Sequence, residues 1–163
     1  RDRTSIKGGE YWISYSYIDA KRRYLDYPTE AIPDYTSKHN LSLVYKHFID
    51  ALRSQLSASY HYSSPRTYNN PNSSEFNGEQ TQPFHSLNMN WSLLLKQNVI
   101  IYFTASNILG YEQDYGRSYA RTPNVNGEYA SKPILPGAKR WFLIGCFITL
   151  SRDGQLNQLN KIK

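Results

Sequence analysis

Residues 84–97 read FHSLNMNWSLLLKQ, with Ser86, Asn88, Asn90 and Ser92 on one parity and Leu87, Met89, Trp91 and Leu93 on the other. Successive side chains of a strand point to opposite faces, so strict alternation over this length predicts a strand with one polar and one apolar side. A soluble domain turns the apolar parity inward. A membrane barrel turns it outward to lipid and lines a wet interior with amides and hydroxyls.

Five more segments carry strand signals. In EYWISYSYIDAKRRYL (10–25), Tyr11, Ile13, Tyr15 and Tyr17 oppose Ser14 and Ser16; in HNLSLVYKHF (39–48), Leu41, Leu43 and Tyr45 oppose Asn40, Ser42 and Lys46. SQLSASYHYSS (54–64) is the cleanest, since Leu56, Ala58, Tyr60 and Tyr62 alternate with Ser57, Ser59, His61 and Ser63. NVIIYFTASNIL (98–109) and RWFLIGCFITLS (140–151) are apolar on both parities for part of their length, as in strands that are covered on both sides or face a plugged interior. Phe142, Ile144, Ile148 and Leu150 form the fully apolar face of the last; Gly145 and Thr149 mark the other.

The connections alternate in length. IDALR (49–53) and KQN (96–98) are short, whereas 26–38, 65–83 and 110–139 are long and rich in Pro, Gly, Asn and Tyr. In an antiparallel up-and-down sheet this places every long loop at one end, the asymmetry of outer-membrane barrels. Each segment also supplies the 9 to 11 residues, roughly, that a tilted membrane strand needs. Tyr45 and Trp91 fall toward the short-turn ends, and Tyr17, Tyr62 and Phe84 toward the long-loop ends, where headgroup-level anchors belong.

Composition agrees with an all-β chain whose own core is thin. Hydrophobic residues make up 39%, and Tyr supplies 15 of the aromatics against 6 Phe and 3 Trp; mean hydropathy is -0.66. Tyr suits interfaces, with an apolar ring and a hydroxyl that wants water or a partner. The net charge of +6 is scattered along the chain, without a basic helix face or nucleic-acid motif, which argues against nucleic-acid binding. No apolar run is long enough for a helical span. The start, RDRTSIKGG, has no signal peptide and no Met, and reads as the interior of a longer chain. Lone Cys146 allows no internal disulfide and is expected to be a small buried hydrophobe.

YWISYSYIDAKRRYLDYP, PDYTSKHNLSLVYKHF, FTASNILG and PGAKRWFLIGCFITLS together resemble the C-terminal portion of TonB-dependent outer-membrane receptors, in the branch with a carboxypeptidase-regulatory-like N-terminal extension. That resemblance implies an antiparallel up-and-down transmembrane β-barrel segment, residues 1–151 supplying about six strands of a larger barrel; residues 152–163 depart from the family, whose barrels often stop at a terminal aromatic, and read as a polar periplasmic tail. It implies location in the outer membrane of a Gram-negative cell, with long loops extracellular and the C-terminus periplasmic. The expected partners are outer-membrane lipid, and a plug domain and the TonB complex through an N-terminal part. The implied activity is import of a scarce ligand such as a siderophore, glycan, peptide or cofactor. On it, Ile13, Tyr15, Leu41, Leu43, Leu56, Tyr60, Leu87, Met89, Trp91, Phe142, Ile144 and Ile148 face lipid. Ser14, Ser16, Ser42, Ser57, Ser59, His61, Asn88, Asn90 and Ser92 face the lumen. Asn107 matches a recurring Asn near the outer end of a late strand, which implies that it holds loop backbone without contacting substrate.

Enzyme chemistry is not expected. The chain lacks a nucleophile elbow, a zinc-protease helix motif, a phosphate-binding Gly loop and any Cys pair at metal spacing. His39, His47, His61 and His85 share no ligand spacing, RDGQLNQLN lacks the acidic ligands of a calcium loop, and Glu112 and Asp114 read as a solvated loop face, so no metal or cofactor is expected. The best place for ligand contact is loop 110–139, where Tyr111, Tyr115, Arg117, Tyr119 and Arg121 interleave rings with cations able to stack on flat groups and clamp carboxylates or phosphates; the alternative reading is a loop that packs on its neighbours and closes the barrel mouth. Two other classes fit the pattern: a soluble β-sandwich or small barrel binding carbohydrate or peptide through its Tyr and Arg loops, and a surface adhesin barrel.

Overall fold

The computed structural model describes residues 5–150. Its main sheet comprises β1 (Gly9–Tyr17), β2 (His39–Ile49), β3 (Ser54–Ser63), β4 (Phe84–Lys96), β5 (Val99–Ser106) and β6 (Trp141–Ile148). Neighbours in sequence are neighbours in space, and every pair is antiparallel. The chain is therefore all-β and built as an up-and-down meander. The sheet does not close on itself: among the described residues nothing pairs with the outer edge of β1 or of β6. The tail expected at 152–163 lies outside the described residues.

Register follows the alternation. Tyr11, Tyr45, Ala58, Met89, Ala105 and Phe142 lie side by side across the six strands, and the next row runs His47, Leu56, Trp91, Phe103 and Ile144. Directly opposed residues of an antiparallel pair share a face. Slipping β1, β2, β3 or β4 by one residue would interleave serines with this largely apolar set, so pattern and pairing specify each other there, whereas β5 and β6 are apolar on both parities for part of their length.

The short connections make tight turns. Asp50–Leu52 forms a single 3-10 turn closed by Arg53 in the left-handed region (φ 46), and Gln97 and Asn98 join β4 to β5. Each long connection folds into a small ribbon of its own: Arg22–Arg23 pairs with Glu30–Ala31, Thr67–Tyr68 with Glu79–Gln80, and Arg117–Tyr119 with Ser131–Pro133. All three sit at the same end of the sheet, and side chain to backbone bonds tie them together. Thr67 Oγ1 donates to Pro33 O at 2.8 Å, and Asn72 exchanges two bonds with the backbone of Tyr129 at 2.7 and 2.9 Å.

Strand length is uneven. The 13 residues of β4 extend about 43 Å at 3.3 Å per residue, which at a tilt near 45° rises about 30 Å, the thickness of a bilayer core. β5 and β6 have 8 residues each, shorter than expected. β5 stops where Asn107 turns left-handed (φ 47), and beyond β6 one further bond, Thr149 N to Asn98 O at 2.9 Å, continues the ladder.

Candidate functional site

The apolar face is the first feature with functional content. All twelve residues expected to face lipid lie on one side of the sheet, and all nine expected to face a lumen lie on the other. Nothing described covers the apolar side: Ile13 is 64% exposed and Ile144 74%, and among the described residues Leu94 and Ala105 are the hydrophobic side chains that reach full burial. Stable domains bury such a face against a second layer. No second layer is described here, and no helix in it is long and apolar enough to cross a membrane, which bears on helices alone.

Aromatic and imidazole groups border the aliphatic rows. At the long-loop end, Tyr15 OH meets His39 Nδ1 and Tyr60 OH meets His85 Nδ1, both at 2.8 Å, with the rings of Tyr17, Tyr62 and Tyr111 between 5.1 and 5.2 Å from those imidazoles. At the short-turn end Tyr45 OH meets His47 Nδ1 at 3.0 Å. Such amphipathic pairs keep their polar tips satisfied while presenting ring surface, the property needed at a boundary between oil and water. Phe84 departs from the expected girdle. It pairs with Ser63 on the polar side, where its ring lies 6.2 Å from that of Tyr115.

The polar face is cross-linked. Asn90 is the hub: Tyr102 OH and Thr104 Oγ1 both donate to its Oδ1, and its Nδ2 reaches Ser57 Oγ at 3.4 Å. Asn88 Oδ1 accepts from Ser86 Oγ and from the backbone N–H of Asn107, both at 3.0 Å. The Lys46 ammonium sits 5.2 Å from the Trp12 ring centroid. These groups satisfy one another laterally; Ser86 and Asn107 are buried and the rest remain half-exposed, as in a wall wetted on that side.

Cys146 corrects an expectation. It lies on the apolar face opposite Ile101 but is exposed, because β6 is an edge strand on which, among the described residues, nothing packs from either side. Trp141, Leu143 and Phe147, on the opposite side of β6, are likewise exposed. The covering inferred for β6 from its two apolar parities is absent among the described residues.

The five candidate residues of loop 110–139 are not brought into one pocket. Tyr111 lies by His85 at the apolar border, Tyr115 by Phe84 on the polar side, and Arg117, Tyr119 and Arg121 run out along the third ribbon. Arg117 and Arg121 are exposed, Arg117 Nη1 reaching Ser131 Oγ at 3.4 Å. Burial, helped by Tyr68 and Glu79 and opposed by Arg117, pushes the Tyr119 hydroxyl above the usual tyrosine range. Glu112 pairs with Lys139 at 3.2 Å on the surface, and Asp114 Oδ1 accepts from Gly116 N at 2.8 Å, so both carboxylates serve loop structure. No three described His, Cys, Asp or Glu residues are placed to hold a metal ion.

Asn107 holds the loop as the resemblance implied. Its Nδ2 donates to Tyr111 O at 2.8 Å and Lys139 O at 2.9 Å, and its Oδ1 accepts from Tyr111 N at 3.2 Å. One buried side chain thus fastens both ends of the longest connection.

No family model, curated protein or solved structure matches the chain.

Proposed function

We propose that the chain forms part of the wall of an outer-membrane β-barrel, supplying strands to a TonB-dependent receptor that imports a scarce ligand. The observation that carries the membrane half is the unburied apolar face, bordered by Tyr–His pairs and backed by a wet, hydrogen-bonded polar face. Lipid covers such a face without a second protein layer, and the gathering of all three long connections at one end matches a barrel with an outer and an inner rim. Further strands seal the two open edges. The import half rests on the resemblance of the strand and loop sequences to that receptor family. A plug domain and a TonB-contact segment in the full protein separate import from adhesion.

Cys146 supplies the test. In bilayers, its reaction with a charged, membrane-impermeant maleimide is expected to be at least about tenfold slower than in the unfolded chain, because water and ions are excluded from the face it occupies. A Cys placed at Ser59 in a Cys146→Ala background, on the opposite side, is expected to react as fast as an exposed thiol. Equal rates at the two positions in bilayers would overturn the lipid-facing assignment, whereas protection of Cys146 that persists in plain buffer, in a monodisperse chain with a cooperative melt, would favour the soluble carbohydrate- or peptide-binding reading.

A further inference from the structure

Between the first and second long loops lies a cavity of about 620 Å³ whose walls include Asp26, Tyr27, Glu30, Glu75, Phe76 and Asn77. It is a different place from the Tyr and Arg loop singled out by sequence, and its volume falls within the range of small-molecule sites. Its lining is unusual for this chain. Lys and Arg outnumber Asp and Glu by 19 to 13 overall, yet three carboxylates line the cavity and no Lys, Arg or His does.

The walls are built, not merely acidic. Tyr27 and Phe76 stack with centroids 4.2 Å apart at 29°, and the rings of Tyr24 and Phe76 meet edge-on at 4.9 Å. Asn77 is 5% exposed and ties the two loops by donating from Nδ2 to Ile32 O at 3.0 Å, which leaves its Oδ1 buried and without a hydrogen-bond donor. Glu75 folds its carboxylate against Gly78, where any Cβ would stand 2.7 Å from it. Asp26 and Asn77, one from each loop, both hold left-handed backbone, φ 70 and 55.

The three carboxylates and the exposed Tyr27 ring select for positive charge carried on N–H groups, and Asn77, whose Oδ1 is short of a donor, belongs to the same wall. The three carboxylates are too dispersed to enclose one metal ion, since no described acidic cluster meets that geometry. We infer that this cavity binds an organic cation, an ammonium or guanidinium group joined to an apolar or ring body that packs against the exposed Tyr27 ring. The inference stands on the loop geometry and holds whether or not the sheet lies in a bilayer.

Tryptamine and tryptophol share a ring body and differ in charge, which makes them the probes. Equilibrium dialysis or calorimetry on the full-length protein is expected to show tryptamine binding at least about tenfold more tightly than tryptophol, with the preference shrinking as salt rises from about 0.05 to 0.5 M. Glu30→Gln with Glu75→Gln is expected to abolish the preference while leaving the melt unchanged, because both carboxylates are exposed. Asp26→Asn, which suits left-handed backbone, gives a second variant should the double change disturb the loop. Equal binding of the two probes, no saturable binding, or a charge preference that survives both variants overturns the inference.

Discussion

Met89→Arg is expected to destabilise the folded protein by about 2–4 kcal/mol in lipid, the cost of a cation at the midplane of a barrel's outer face. Met89 is central on the apolar side, flanked by Ala58 and Ala105, with no described carboxylate on that face in neighbouring rows to pair with. Ser59→Arg, one row away on the opposite side between Val44 and Asn88, is expected to change stability by less than about 1 kcal/mol, because its head reaches water. Urea titration of both variants in lipid vesicles reads the difference directly. Matching small effects would remove the case for a lipid-facing side. A large Met89 effect in a chain that stays monodisperse without detergent would point to a covering protein layer.

Asn107→Ala is the second large effect. Three side-chain hydrogen bonds disappear, two carbonyls and one amide lose their partner, and Ala takes over a left-handed φ of 47. At about 1 kcal/mol per lost bond, with a similar backbone penalty, the expected loss is about 3–4 kcal/mol. Asn107→Gly removes the backbone penalty and keeps the bond loss, so it should be milder by about 1 kcal/mol. Thermal melts measure the totals, and hydrogen exchange at the Tyr111 amide should rise in both variants. Faster proteolysis between Tyr111 and Lys139 would show that loosening is local. An unchanged Tyr111 amide would mean that the loop is held elsewhere.

The sheet was legible because each strand writes its two faces into alternate residues. Leu56, Ala58, Tyr60 and Tyr62 against Ser57, Ser59, His61 and Ser63 leave one workable register with HNLSLVYKHF on one side and FHSLNMNWSLLLKQ on the other. The common end of the long loops followed from connection lengths. What escaped the sequence has no period. Asn72 meets Tyr129 across 57 positions, and Asn77 reaches Ile32 across 45, contacts set by how the ribbons lean on one another.

Tyr111, Tyr115, Arg117, Tyr119 and Arg121 looked like one site because they are close in sequence, but an extended segment carries neighbours apart by about 3.3 Å each and to opposite sides. The acidic cavity was missed for the converse reason. Its walls come from two loops, and the available signal was a set of carboxylates in 26–30 and at 75 with no basic residue interleaved. Phe84 was misplaced by ignoring parity at a strand end, and the exposure of Cys146 by assuming that an apolar run has neighbours.

The bare rims of β1 and β6 have a kinetic consequence. Each exposes a line of amides and carbonyls that hydrocarbon cannot solvate, at several kcal/mol per unmet group. A panel of this kind cannot slip into a bilayer strand by strand and wait for company. On the proposed membrane reading its flanks would have to be zipped to further strands during entry, so that assembly, and not the resting fold, would be the step most exposed to mutations along those two borders.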